Sequence, residues 1–172
     1  MLPNRKIYII GFMGSGKSTV GKKLASGLEW SFIDLDKRIE ENTGMKIPDI
    51  FSHNGEAYFR KVEAEVLRSL ESETDIVVST GGGTPCFGDN MSFMLGTGLT
   101  IYLKLTPGQL KSRLSVSSGE RPLIKNISKN KLKGYIEEKL AEREKWYNQA
   151  GIIIDGLNTD NTFLLTIVKK SL

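Results

Sequence analysis

Eight residues near the start of the chain constrain it more than any other stretch: Gly11-Phe12-Met13-Gly14-Ser15-Gly16-Lys17-Ser18. They match G-x-x-x-x-G-K-[S/T] at every required position. An apolar run over Lys6–Ile10 precedes them and a helical pattern over Lys17–Leu28 follows, which is the context this motif needs. Glycines let the backbone curl so that successive N–H groups face phosphate oxygens, and the helix that follows adds the positive end of its dipole. The segment therefore predicts a site for a nucleoside triphosphate with Mg²⁺. Gly14, Ser15, Gly16, Lys17, Ser18 and Thr19 sit at the phosphates, Lys17 reaches the β- and γ-phosphates, and the Ser18 hydroxyl ligates the metal. The competing reading, a glycine-rich turn with a chance lysine, does not account for the strand and helix on either side.

The remaining pattern is of one kind. Short Val/Ile-rich runs at Ser31–Asp34, Asp75–Ser79, Leu99–Leu103 and Gly151–Ile154 alternate with helical patterns at Glu56–Leu70, Pro107–Leu114, Lys129–Tyr147 and Thr162–Lys169. Nearly continuous apolar strands separated by helices predict an α/β fold, a five-stranded parallel sheet flanked by helices. At 172 residues the chain fits one domain, 1–172. The polar stretch 115–128 holds Gly119 and Pro122 between two helices and reads as a surface loop suited to a lid.

The loop alone does not choose among triphosphate enzymes. Guanine-selective proteins carry Asn-Lys-x-Asp after a late strand, and Asn130-Lys131-Leu132-Lys133 lacks the aspartate. Strand Ile76–Ser79 ends in Thr80-Gly81-Gly82-Gly83 rather than in the aspartate of common ATPases. Carboxylates come instead from Asp34 and Asp36. At i and i+2 in extended chain they lie on one side, at the strand end where α/β sheets bind ligands. One, Asp34, suits the metal; the other, Asp36, suits an acceptor hydroxyl and its proton. The plainer reading of Asp36 is the N-cap of a helix over 37–42.

Arginines supply the other half of the pattern. Arg60, three residues before Glu63, reads on spacing as a surface ion pair worth tenths of a kcal/mol. Arg143 falls on the inward stripe Leu132, Ile136, Leu140, Tyr147 and so requires an anionic partner, from the protein or from a ligand. Arg121 lies in the lid segment, where it can close on the γ-phosphate, and spacing leaves Arg113 undecided between a site and a solvated face. Gly81-Gly82-Gly83 suits a backbone that must approach a ligand closely, against a flexible turn.

Composition excludes several classes. A single cysteine, Cys86, and a single histidine, His53, fall short of a zinc site or a Ser-His-Asp triad. With no disulfide possible, a reducing compartment is expected, and Cys86 reads as a small packed residue. The net charge of +4 is spread without the aromatic signature of an RNA binder, so a small anionic ligand rather than a nucleic acid is expected. The apolar run at the N-terminus is too short for a signal peptide, and no stretch is long enough to span a membrane; the expected place is the cytoplasm and the expected state a monomer.

Together these segments resemble the shikimate kinases over nearly the whole length. The matching pieces are Gly-x-x-Gly-x-Gly-Lys-Ser at 11–18, Asp-Leu-Asp at 34–36, Gly-Glu-x-x-Phe-Arg-x-x-Glu at 55–63, Gly-Gly-Gly at 81–83, Arg-Pro-Leu at 121–123 and Arg-x-x-x-Tyr at 143–147. The resemblance implies a P-loop kinase fold with a lid and a substrate-binding helical region over about 34–70. It implies transfer of the γ-phosphate of ATP to the 3-hydroxyl of shikimate, on the route to chorismate and the aromatic amino acids. Asp36 would bind that hydroxyl and act as base, and Asp34 would support Mg²⁺ with Ser18. Arg60 and Arg143 would grip the shikimate carboxylate, and Gly81, Gly82 and Gly83 would offer backbone contacts. Glu63 would orient Arg60. Lys17 and Arg121 would serve the phosphates and Arg113 would stack near adenine, while Phe51, Phe59, Pro122 and Leu123 would wall the pocket. The chain departs from the pattern at Arg143-Glu144-Lys145-Trp146-Tyr147, which lacks the Arg-x-Pro-x-Tyr proline, a change that bears on the helix end. It departs again at Thr84-Pro85-Cys86-Phe87, which bears on the pocket edge. Two other readings stay open: a P-loop kinase for gluconate or a nucleoside monophosphate, and a non-catalytic ATP-binding relative. The joint presence of the acidic, arginine and triple-glycine motifs weighs against the first, and retention of Lys17, Asp36 and the arginines against the second.

Overall fold

Strand β1 (Lys6–Ile10) is buried along its whole length because it has a strand on each side and helices on each face. The computed structural model describes residues 5–116 and 123–171. Among these, five parallel strands run in the order β2-β3-β1-β4-β5, with β2 at Ser31–Asp34, β3 at Ile76–Ser79, β4 at Leu99–Lys104 and β5 at Ile152–Asp155. The chain leaves β1 toward β2 on one side and later returns to β4 on the other. Strand order thus reverses beside β1, and the crevice at the C-terminal ends of β1 and β3 is where such a sheet binds ligands.

Seven helices cover the sheet among the described residues: α1 (Lys17–Leu28), α2 (Leu35–Thr43), α3 (Ile47–Ser69), α4 (Asn90–Thr97), α5 (Pro107–Val116), α6 (Lys129–Tyr147) and α7 (Asn161–Ser171). One face buries Ile7, Ile9, Val77, Ile101 and Leu103 against Val20 and Leu24 of α1 and Leu164 and Val168 of α7. The other buries Tyr8, Ile10, Val78 and Tyr102 against the inward residues of α2 to α6. Each fully buried aliphatic side chain contributes about 1.5–3 kcal/mol of transfer free energy, so both faces clamp β1 and hold the loop that follows it.

Residues 35–69 are a helical excursion between β2 and β3. Of α3 the sequence pattern locates only the second half, because Gly55 (φ 81°, ψ 172°) breaks the helix and Glu56 restarts it. The earlier part, Ile47–Asn54, begins at Pro48 in its first turn and lacks a stripe long enough to read. Helix α4 is missed for the same reason: it spans only eight residues. Helix α5 runs to Val116, two residues past its expected end. The proposed lid, 115–128, falls partly on 117–122, so that part and Arg121 lie outside the described residues.

Candidate functional site

The phosphate loop opens onto a cleft of about 510 Å³ lined by Gly14, Gly16, Lys17, Ser18, Thr19 and Arg113, among others. Gly16 takes φ 93° as it enters α1, a conformation that carries little strain only in glycine. It has no side chain to cap the helix, so the first-turn amides stay open to an anion. The Lys17 ammonium donates to the carbonyls of Gly11 and Phe12, both at 2.9 Å, which folds it back along its own loop. Arg113 donates to the Ser15 carbonyl at 2.9 Å and to the Gly156 carbonyl at 3.2 Å. It thereby ties the phosphate loop to the turn after β5.

The two carboxylates arrive by a different route from the one extended chain suggests. Asp34 ends β2, and it is Asp34, not Asp36, that caps α2, accepting from the Lys37 amide at 3.3 Å. Asp36 is already in the first helical turn, so an alternating strand does not place the pair. Asp34 also accepts from the Ser18 hydroxyl at 3.2 Å, and Ser18 and Ser79 share a hydrogen bond of 3.1 Å. Asp36 is exposed as a residue through the open cleft. Even so, burial first, then the Asp34 and Glu63 carboxylates, push its carboxyl up to about 6 against the pull of Lys17.

A second cleft, of about 360 Å³, lies beside the first and shares Met13, Asp34, Asp36, Gly81 and Gly82 with it. Arg60, Glu63, Gly83 and Arg143 line it with Phe51, Phe59 and Leu123. Arg60 is no surface residue: its side chain is 10% exposed and its partner Glu63 is fully buried. Arg60 donates Nη1 to Glu63 at 3.0 Å, and Nε and Nη2 to Glu56 at 3.2 and 3.0 Å. Arg143 is buried on the inward side of α6, 5.3 Å from the Phe12 ring centre. Its Nη1 has no hydrogen-bond partner among the described residues. A buried, charged donor left unpaired costs more than about 1–3 kcal/mol, and an anion in the cleft would offset that cost.

The triple glycine is packed rather than flexible. A Cβ on Gly82 would lie 3.0 Å from the Met13 amide nitrogen, and one on Gly83 only 2.6 Å from Arg60 Nη2. The Tyr147 hydroxyl donates to the Gly82 carbonyl.

A family model described as shikimate kinase matches residues 13–171. The chain belongs to the shikimate kinase family. A shikimate kinase of Parabacteroides distasonis is 41% identical over 88% of this chain and 87% of its own, and one of Azobacteroides pseudotrichonymphae is 45% identical over 87% and 88%. Among solved structures, the shikimate kinase of Bacteroides thetaiotaomicron superposes with a TM-score of 0.88 at 35% identity, covering 96% of this chain and 97% of that one. That of Acinetobacter baumannii, in complex with shikimate, gives 0.87 at 31%, covering 99% and 93%. The five-stranded P-loop kinase fold is that of the family, and the chain is an ATP-dependent kinase, a transferase.

Seen as a shikimate kinase, the chain keeps α6 unbroken through Arg143 to Tyr147, so the missing proline does not end the helix early. Cys86 is half-buried, with its thiol pushed up by burial to about 11, which suits packing rather than nucleophilic chemistry. His53 is exposed and bonds to the Asp49 carbonyl at 2.9 Å, outside both clefts. Sequence reading missed Ser79 and Glu56. Ser79 had a signal, since it ends the strand where other ATPases place a carboxylate. Glu56 had one too, four residues before Arg60 and therefore on its face of the helix. Pro122 and Arg121 lie outside the described residues.

Proposed function

We propose that the chain transfers the γ-phosphate of ATP to the 3-hydroxyl of shikimate, giving shikimate 3-phosphate for chorismate and aromatic amino acid synthesis. The shared wall of the two clefts carries this reading: a triphosphate on the loop and an acceptor on Arg60 and Arg143 would meet at Asp34, Asp36, Gly81 and Gly82. The complex of the Acinetobacter baumannii enzyme with shikimate supports the choice of acceptor.

Each residue has a role that its chemistry fits. Gly14, Ser15, Gly16 and Thr19 bind the phosphates through the loop and first-turn backbone. Lys17 exchanges its two carbonyl partners for β- and γ-phosphate oxygens and neutralises charge there. Arg121 adds charge from the lid, and Arg113 borders the adenine. Asp36 orients the 3-hydroxyl and takes its proton as the bond to phosphorus forms. Arg60 and Arg143 hold the carboxylate, for which forked guanidinium donors are better shaped than ammonium groups. Gly81, Gly82 and Gly83 bring backbone against the ring. Ser18 and Asp34 offer hard oxygen donors 3.2 Å apart, a set that fits Mg²⁺. Mg²⁺ held there with ATP would supply neutralisation of the phosphate charge. We also propose a monomer in the cytoplasm acting on small molecules, with no nucleic-acid partner. Cys86 is the sole thiol, which suits a reducing compartment. Helical region 34–70 and lid 115–128 complete the single domain.

The test is ADP release from Mg·ATP with shikimate, gluconate, a nucleoside monophosphate or no acceptor. Release that requires shikimate is expected. Release with another acceptor instead overturns the assignment of the second cleft, and none with any acceptor overturns catalysis.

A further inference from the structure

The segment Gly83–Phe87 touches α3 around Arg60 at three points. Gly83 passes so close to Arg60 that no side chain fits between them, and the chain then makes a short turn over Thr84–Cys86 with Pro85 in it. Thr84 is fully buried, and its hydroxyl donates to Glu63 Oε2 at 2.7 Å, leaving Oε1 to accept from Arg60. Three residues on, the Phe87 ring centre lies 4.0 Å from the Arg60 guanidinium carbon, while Phe59 lies at 5.1 Å.

The turn is itself fixed to the same helix further along. Asn90 donates to the Thr84 carbonyl at 3.0 Å, and Arg68 of α3 donates to the Asn90 side chain at 2.9 Å and contacts Asp89. Arg60 and Arg68 are eight residues apart on one helix, and the turn bridges them.

We propose that Thr84 and Phe87 are positioning residues for Arg60: the threonine hydroxyl fixes the Glu63 carboxylate that anchors one nitrogen of the fork, and the phenyl face fixes the plane of the fork. The proposal rests on the reading that Arg60 holds the acceptor's carboxylate. A buried carboxylate with a single partner can rotate about its terminal bond. With both oxygens engaged it presents a fixed acceptor to Arg60. Glu56 and Glu63 take Nε and one hydrogen of each terminal nitrogen, and stacking on an aromatic face leaves the remaining in-plane donor of each open to a planar anion. Orientation is what such a site needs, because a forked donor turned out of the carboxylate plane loses one of its two hydrogen bonds. Phe87 carries no hydrogen-bonding side-chain atom and the Thr84 hydroxyl is given to Glu63, so neither stands in for the ligand. Their effect is therefore on acceptor binding and not on the nucleotide.

The test compares steady-state kinetics of the wild type with Thr84→Val, Thr84→Ser, Phe87→Ala, Arg60→Ala and the Thr84→Val/Arg60→Ala double variant. Thr84→Val keeps the side-chain volume and removes the hydroxyl; it should raise the KM for shikimate about tenfold and leave the KM for ATP within about twofold. Thr84→Ser should restore the shikimate KM. Phe87→Ala, at a partly exposed edge that tolerates truncation, should raise it about threefold and carries the test if Thr84→Val does not fold. In the Arg60→Ala background Thr84→Val should add less than about twofold, because its effect passes through Arg60. An unchanged shikimate KM in Thr84→Val and Phe87→Ala, an equal rise in both substrates' KM, or a full Thr84→Val effect without Arg60 overturns the proposal. A wild type without shikimate-dependent ADP release overturns the function reading beneath it, which separates the two failures.

Discussion

Ser18 donates its hydroxyl to Asp34 Oδ2 at 3.2 Å, joining the first turn of the phosphate-loop helix to the end of β2, two strands away from β1 in the sheet. The third member is Ser79, at the end of the intervening strand β3, 3.1 Å from Ser18. Two neighbouring strand ends and the first turn of α1 therefore deliver oxygen to one point. If that point takes Mg²⁺, Asp34→Asn and Ser18→Ala should each raise the Mg²⁺ concentration for half-maximal rate by about tenfold or more, with the fold unchanged by circular dichroism. ADP release titrated with Mg²⁺ reads this directly. An unchanged requirement in both variants removes them from the metal.

Asp36 makes a separate prediction about stability. Burial and the neighbouring carboxylates raise its pKa from 3.8 to about 6 in the folded protein. Between those values the unfolded chain has released the proton and the folded chain still holds it. The stability attached to this group is thus fully present below about 3.8 and is lost as pH rises through about 6. Solvent in the open cleft screens the effect, so the direction is what is tested. In metal-free buffer, urea unfolding should show the wild type losing stability from pH 4 to 7 relative to Asp36→Asn. The variant should be the more stable near neutrality and, on the proposed role of Asp36 as base, almost inactive, a charge held for catalysis at a cost to the fold. A wild type more stable than Asp36→Asn at pH 7 contradicts this.

The glycines at 82 and 83 should separate by substrate. A Cβ at Gly83 meets the Arg60 guanidinium at 2.6 Å, the far end of a flexible side chain, whereas one at Gly82 meets the Met13 backbone nitrogen at 3.0 Å. Gly83→Ala therefore displaces Arg60 and should raise the shikimate KM about tenfold with little change for ATP. Gly82→Ala presses on the phosphate loop itself and should impair both substrates. Equal effects of the two variants on ATP would show that the contact at 83 is not specific to the acceptor side.

The difference between what was readable and what was not follows from the range of the interactions. Lys17, Ser18 and the flanking strand and helix lie within one local motif, so their spacing alone carries the geometry. Arg143 was legible because it breaks an apolar stripe at helical spacing, and the stripe says which way it faces. Arg60 was legible only through the family resemblance: on spacing its i,i+3 partner is common on surfaces, and the pair is interior because Glu63 is buried and bonded to Thr84. Asp34 and Asp36 were found for an incomplete reason. Their shared cleft is real, but a helix starting at Leu35 brings them together rather than an extended strand. Helix α4 and the first half of α3 left too few periodic positions to register, and the latter walls the second cleft with Ile47, Pro48 and Phe51 through long-range packing that no local pattern encodes.

Arg143 offers the sharpest comparison between charge and shape. The residue is 8% exposed, its guanidinium over the Phe12 ring and Nη1 unpartnered among the described residues. A lysine there keeps the positive charge but presents one compact ammonium in place of the fork. If the group serves only to attract an anion, Arg143→Lys should bind shikimate nearly as well as wild type. If it holds the carboxylate through paired in-plane donors, Arg143→Lys should weaken shikimate about tenfold and Arg143→Ala by more, since the anion then loses both charge and hydrogen bonds. The second outcome is expected, because an unpaired buried nitrogen beside the Gly82 backbone implies a directed contact. Isothermal titration of shikimate and of Mg·ATP against each variant distinguishes the cases, and a loss confined to Mg·ATP would move Arg143 to the nucleotide cleft.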